Sequence, residues 1–215
     1  MRHSTSRNLY RYWNEVRGDR IAPRRFEIEP SRISHLLPET FILEAVDEGN
    51  LRYRLAGTRL TEQFGQEFRG ANFFHHWIGL ERGTVMSKLS EVMRSGSVAV
   101  IATEALCSRG RKASFEFVVM PLVHTQGSID RLLGAGSCIN PPAWLGQEPL
   151  VRQRLIDVRI ISPEQPVSLK LPELSPPAED PPPFFSHVRN ARIVRQDRRQ
   201  FRVYDGGLLT RGTET

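Results

Sequence analysis

Residues 51–65 read Leu51-Arg52-Tyr53-Arg54-Leu55-Ala56-Gly57-Thr58-Arg59-Leu60-Thr61-Glu62-Gln63-Phe64-Gly65, and the periodicity changes inside them. From Leu51 to Ala56 the apolar and polar residues alternate, which is the period of a strand. Past Gly57 the apolar positions are Leu60 and Phe64, four residues apart, which is helical spacing. Thr58 is a plausible N-cap and Gly65 a plausible stop. A strand that becomes a helix across one glycine needs positive φ or close backbone approach there, and only glycine tolerates both. Gly57, Gly65 and Gly70 are therefore read as shaping residues and given no ligand role.

Upstream, Thr40 to Val46 is a second strand-like run, joined to Leu51–Ala56 through Asp47-Glu48-Gly49-Asn50, a hairpin signal. Downstream come helices. Asn72 can cap a short aromatic piece holding Phe73, Phe74 and Trp77. A longer helix from about Glu81 to Ser95 sets Val85, Met86, Leu89, Val92 and Met93 on one face before Gly96. The strand period returns at Ser97 and persists through Ser97–Cys107, Ala113–Leu122 and Arg131–Ile139. Two strands, a group of helices and three strands make an α+β domain: a five-stranded antiparallel sheet with helices inserted between strands two and three.

In front of the sheet, Leu9, Tyr12, Trp13 and Val16 fall at helical spacing, with Ser4 or Ser6 as cap and Gly18 as stop. This stripe is too apolar to leave in water and is expected to be an oligomer contact, with packing on its own sheet as the alternative. Pro30 suits the first position of a second short helix presenting Ile33, Leu36 and Leu37. Beyond Pro141-Pro142 the composition changes. Arg154 to Ile161 can supply one further strand, and the proline- and acid-rich residues 163–183 read as an extended linker. The organisation is thus 1–25, N-terminal helix and basic arm; 26–140, sheet domain; 141–183, extension and linker; 184–215, basic C-terminal tail.

Apolar residues make up 39% and charged residues 25% of the chain, globular values. No apolar run reaches the roughly 20 residues that span a bilayer. The N-terminus is arginine-rich but has no apolar signal core. Cys107 and Cys138 are too few and too far apart for a zinc or redox motif, which fits a reducing cytoplasm. Residues 1–25 hold seven arginines against two acids, and residues 185–202 hold six, Arg189, Arg192, Arg195, Arg198, Arg199 and Arg202, against Asp197. Residues 26–184 hold 16 Lys and Arg against 19 acids, so positive charge belongs to the ends and the centre argues against a nucleic-acid interface.

The stretch Tyr53–Leu60, followed by Phe64-Gly65-Gln66-Glu67, Gly70 and Phe73, resembles the early signature of PAS domains. In particular it resembles the bacterial single-PAS regulatory proteins, which open with a helix, an Arg/Ala/Pro stretch (here Ile21-Ala22-Pro23-Arg24-Arg25) and an aliphatic-Leu-Leu-Pro segment (here Ile33 to Pro38). The likeness covers roughly residues 8–140. It implies a cytoplasmic, non-catalytic signal-transduction protein, a homodimer that binds small molecules or other signalling proteins.

Candidate chemistry is sparse. His75 and His76 sit beside Phe73, Phe74 and Trp77 in the region that walls the cavity of PAS folds. Neighbours on a helix do not share a face, so only one can point inward. An imidazole there is a chemically reasonable haem ligand. No second histidine stands three or four residues on, and the ordinary reading is packing or surface. Phe64, Phe73, Phe74, His75, Trp77, Met86, Leu89, Phe115 and Phe117 are the candidate pocket lining for an unknown small molecule, with plain core packing as the alternative. No flavin-type cysteine motif lies in Gly57–Gly79, and neither a metal site nor a resident cofactor is expected. Glu104 and Glu116 fall on neighbouring strands, where paired carboxylates can do acid–base work but more often meet solvent or arginine. Gly-x-Ser-x-Gly, a phosphate loop and His-Glu-x-x-His are all absent, so no enzyme is expected. Arg195-x-x-x-Arg199 matches the arginine pair of cyclic-dinucleotide receptors without the rest of that motif. The competing functional class is an arginine-tailed nucleic-acid-binding regulator that uses the sheet domain to dimerise.

Overall fold

The computed structural model describes residues 1–162 apart from 48, 125 and 126. Within them α1 spans Ser4–Arg17, β1 Thr40–Asp47, β2 Asn50–Ala56, α2 Thr58–Phe64 and α3 Gly79–Ser95. Then follow β3 Val98–Cys107, β4 Lys112–Val123, β5 Ile129–Ile139 and β6 Leu150–Ile161. Three 3₁₀ segments, Arg25–Glu27, Pro30–Glu39 and Phe73–His76, complete the order. The strands form one antiparallel sheet in the order β2-β1-β5-β4-β3-β6, so the sheet has six strands where five were expected.

The sixth strand reads poorly in sequence because it is an edge. Val151, Arg152, Arg154, Ile156 and Arg159 are exposed, and the period-two signal is broken by bulges against β3. Leu150 and Gln153 nevertheless turn inward, and Thr103 Oγ1 donates to Gln153 Oε1 at 3.3 Å. A boundary at residue 140 would cut this strand from the sheet it completes. A boundary at residue 25 would likewise cut α1 from the core it covers. The proline-rich linker expected over 163–183, and the tail with Arg189, Arg192, Arg195, Arg198, Arg199 and Arg202, lie outside the described residues.

Both faces of the sheet are covered. On the inner face α2, the Phe73–His76 turn and α3 pack over Phe41, Leu43, Tyr53, Ile101, Phe115, Phe117 and Val119. On the outer face α1 and the Pro30–Glu39 segment pack over Ile42, Val98, Val100, Val118, Met120, Leu133 and Ala135. The central strand β4 is buried on both sides from Phe115 to Leu122, as a strand between two layers must be.

Gly57 holds the turn from β2 to α2 in place for a steric reason. A Cβ there would lie 2.1 Å from the Leu37 carbonyl oxygen and 2.3 Å from that of Pro38, so no side chain fits. The helix is consequently capped by Gly57 without a side-chain bond, and Thr58 is its first residue instead of its cap. The N-cap of α1 differs in the same way, while Gly18 ends the helix as expected. His3 is the N-cap and its Nδ1 accepts from the Thr5 N–H at 3.2 Å, while Ser6 is buried beneath the helix.

The apolar stripe of α1 is spent on the chain's own sheet. Leu9 and Trp13 are fully buried, Tyr12 nearly so, and Val16 packs at the margin of the same cluster. Trp13 Nε1 donates to the Pro121 carbonyl at 2.8 Å, and the Glu29 N–H donates to Tyr12 Oη at 2.7 Å. The expected oligomer contact through Leu9, Tyr12, Trp13 and Val16 is corrected accordingly. The reason is that β4 and β5 themselves present an apolar outer face.

Candidate functional site

The expected pocket residues, His75 apart, converge on the inner face, where their rings touch one another. Phe64, Phe73, Phe74, Trp77, Leu89, Phe115 and Phe117 are all buried in one cluster, with Met86 partly buried at its edge. Ring centroids lie 5.4 Å apart for Phe64 and Phe115, 5.9 Å for Phe41 and Phe73, and 6.2 Å for Phe73 and Phe117. These are contact distances for aromatic pairs. The Trp77 indole N–H is buried among them with no acceptor among the described residues.

The floor beneath the rings depends on two residues that carry no sequence signal as a pair. Gly134 and Gly136 of β5 lie under the rings of Phe41 and Phe117, where added Cβ atoms would come within 2.3 Å and 2.5 Å of ring carbons. The glycines make room for flat rings on the sheet, and a side chain at either would lift the ring above it.

Of the two histidines, His75 is exposed and His76 is buried. His75 therefore leaves the inward-facing set. The Phe73–His76 turn is 3₁₀ and capped by Asn72, whose Oδ1 accepts from the Phe74 N–H at 3.0 Å, which fixes which imidazole turns in. His76 packs edge-on to Phe64 at 5.5 Å and sits 3.1 Å through Nε2 from Gln66 Nε2. Burial, with a smaller contribution from His75, lowers its pKa to about 4, so it is neutral at pH 7. Cys107 and Cys138 are free and buried, and burial pushes the Cys138 thiol up to about 11. Among the described residues no three His, Cys, Asp or Glu side chains gather as a metal site, and no helix is long and apolar enough to cross a membrane.

Buried carboxylates lie on the outer face. Glu104 and Glu116 do not form an acid–base pair, because each is engaged elsewhere. Glu104 meets Lys112 at 3.2 Å and Arg154 at 3.9 Å. Glu116, only 3% exposed, accepts from the backbone N–H groups of Arg2 at 2.6 Å and His3 at 3.0 Å. Burial alone would raise the Glu116 carboxyl, but those two N–H bonds help to outweigh it and hold it below the usual carboxylate range. Glu39, also buried, accepts from Ser137 Oγ at 2.8 Å and from Arg59 Nη1 at 2.8 Å. Glu39 Oε2 also lies 3.9 Å from Nδ1 of His3, the N-cap of α1, so two buried carboxylates face the start of that helix, where its positive end favours them.

Beside this clasp the outer face carries an open apolar groove of about 370 Å³. Its floor is Ile42, Leu55 and Leu133, and its wall is the segment from Ile28 to Pro38. The chain leading into this segment is held at the end of β4 by the Val123 N–H, which donates to the Pro23 carbonyl at 3.0 Å, and by a bridge between Arg24 and Val123. Sequence reading missed this groove. Leu55 was visible as a strand residue, but its 45% exposure beside buried Ile42 and Leu133 was not.

The sequence matches a protein-family model described as a PAS domain over residues 1–137. No curated protein matches it. Among solved structures it is similar to a light-oxygen-voltage domain studied with a flavin analogue, at 11% identity and a TM-score of 0.42, over 51% of this chain and 83% of that one. It is similar to a Rhodobacter sphaeroides LOV protein at 10% identity and a TM-score of 0.41, over 54% and 71% of the two chains. A Drosophila melanogaster Cycle PAS-B variant with bound glycerol shares 15% identity at a TM-score of 0.37, over 46% and 99%.

Proposed function

Because the chain belongs to the PAS domain family, we propose that it is a non-catalytic regulatory protein that works mainly by docking other signalling proteins. The observation that carries this reading is the packing of the inner face. Phe41, Phe64, Phe73, Phe115 and Phe117 contact one another over the Gly134 and Gly136 floor. A ligand entering there must first displace buried aromatic surface, each ring holding about 1.5–3 kcal/mol of burial. Contact through the outside of the domain requires no such displacement. Self-association belongs to the same reading, through a surface other than the buried stripe Leu9, Tyr12 and Trp13.

Native mass spectrometry of the full chain purified from its own cells at low salt tests this reading. The expected spectrum contains a discrete complex with a second protein and no mass or absorbance of flavin or haem. Free chain carrying a stoichiometric cofactor would turn the reading into that of an internal sensor.

A further inference from the structure

We propose that the outer-face groove beside β2 binds a small anionic amphiphile, a carboxylate head on an aliphatic chain. Three observations meet at this place. The first is shape and lining. The groove is bordered by aliphatic residues and prolines, Ile33, Leu37, Pro38 and Leu55 among them, with no aromatic ring. Flat ligands are commonly held by stacking on rings, and this lining offers contact to a chain instead. At about 370 Å³ the groove lies near the small end of ligand pockets, which run from about 300 to 1,000 Å³.

The second observation is what lies at its mouth. A neighbouring hollow of about 420 Å³ shares Arg25, Ile42 and Leu55 with the groove and adds Arg54, Arg131 and His124. An apolar trough therefore opens into a basic one across common residues.

The third is the charge balance there. Arg54 and Arg131 both meet Glu44, at 3.3 Å and 2.8 Å, and Arg131 also meets Asp130 at 3.3 Å. Arg25 lines both hollows and forms no ion pair among the described residues. One guanidinium without a counter-charge matches one carboxylate, which it can bind through two parallel N–H bonds. A second negative charge would add repulsion from Glu44 and Asp130, so a monoanion fits better than a dianion. This site lies on the opposite side of the sheet from the aromatic core, so it stands whether or not the docking reading does.

Sodium decanoate, kept below its micelle threshold, is the probe, and decanol is the neutral control. Both are titrated into the full chain and followed by backbone amide shifts and calorimetry. Decanoate is expected to saturate one site, to shift the amides of residues 33, 37, 55 and 133, and to bind at least five-fold more tightly than decanol. The Arg25→Gln variant should bind decanoate no better than decanol while its affinity for decanol is unchanged. Leu55→Asp should lose both probes with an otherwise unchanged amide spectrum. The proposal is overturned by failure to saturate, by shifts centred on Phe73 and Phe117, by equal affinity for the two probes, or by an Arg25→Gln variant that binds decanoate as tightly as wild type.

Discussion

The two faces of the sheet are both buried, yet they are built from different materials. The inner face is an uncharged stack of rings whose one titratable imidazole, His76, is held neutral. The outer face combines aliphatic packing with buried carboxylates, Glu39 and Glu116, that grip the start of a helix, and it leaves a groove open beside β2. Rings packed on a floor of glycines cannot yield locally, because each supports the next. A helix held by a carboxylate clasp at its start, and by the Trp13 and Tyr12 bonds farther along, can loosen from its start without unfolding the sheet. The inner face is therefore expected to be the more rigid layer, and the outer face to hold the parts whose attachment changes most readily.

Truncating the inner face is the sharpest way to test that division. Phe117 is 1% exposed and touches Phe41, Phe73 and Phe115. Phe117→Ala should cost about 3–5 kcal/mol, the usual range for removing a buried ring and leaving a cavity. Equilibrium urea unfolding reads this directly. A loss below about 1 kcal/mol would mean that the inner face relaxes easily, and the contrast between the faces would fail.

Acid provides the next test. His76 has a pKa near 4 in the folded chain against 6.5 for the unfolded one. Below pH 6.5 the unfolded chain takes up a proton that the folded chain refuses, so stability is complete above that value and falls as the pH drops toward 4. Between pH 7.5 and pH 5 the loss should be about 2 kcal/mol. The His76→Gln variant should lack this step, and unchanged pH dependence in that variant would place the titration elsewhere.

Much of this contrast was legible in the sequence. The change of period at Gly57 and its return near Ser97 marked where helices enter the sheet. What the apolar residues would touch was less legible. The stripe Leu9–Tyr12–Trp13 has the same pattern whether it meets a second copy or its own sheet, and only the pairing of β4 with β5 creates the surface that receives it. A set of large rings likewise reads the same whether it lines a cavity or fills one. The outcome turned on Gly134 and Gly136, which lie far from most of those rings in the chain. Adjacent histidines shared one pattern too, until the cap at Asn72 set the turn. The edge strand β6 was faint because half of it faces water and Pro141-Pro142 suggests an ending.

The smallest effect expected is the most local, and it concerns Glu116. Its carboxylate occupies an outward position of β4, where Val118 and Met120 set an apolar pattern that the charge interrupts. The interruption has a physical reason. The first N–H groups of a helix have no partner within it, and the Arg2 and His3 N–H groups just before α1 find theirs in Glu116. Glu116→Gln keeps the shape and one acceptor oxygen but sets an amide NH₂ against the other N–H donor. The cost should be about 1.5 kcal/mol, the low end for a hydrogen bond to a charged group. More telling than the size is where it falls. Amide hydrogen exchange should speed up through Ser4–Trp13 while β1, β4 and β5 keep their protection, because the inner face does not depend on the clasp. Uniform loss of protection across the sheet would show that the helix and the ring stack form one cooperative unit. Loss confined to α1 would show that the outer layer can detach while the ring stack holds.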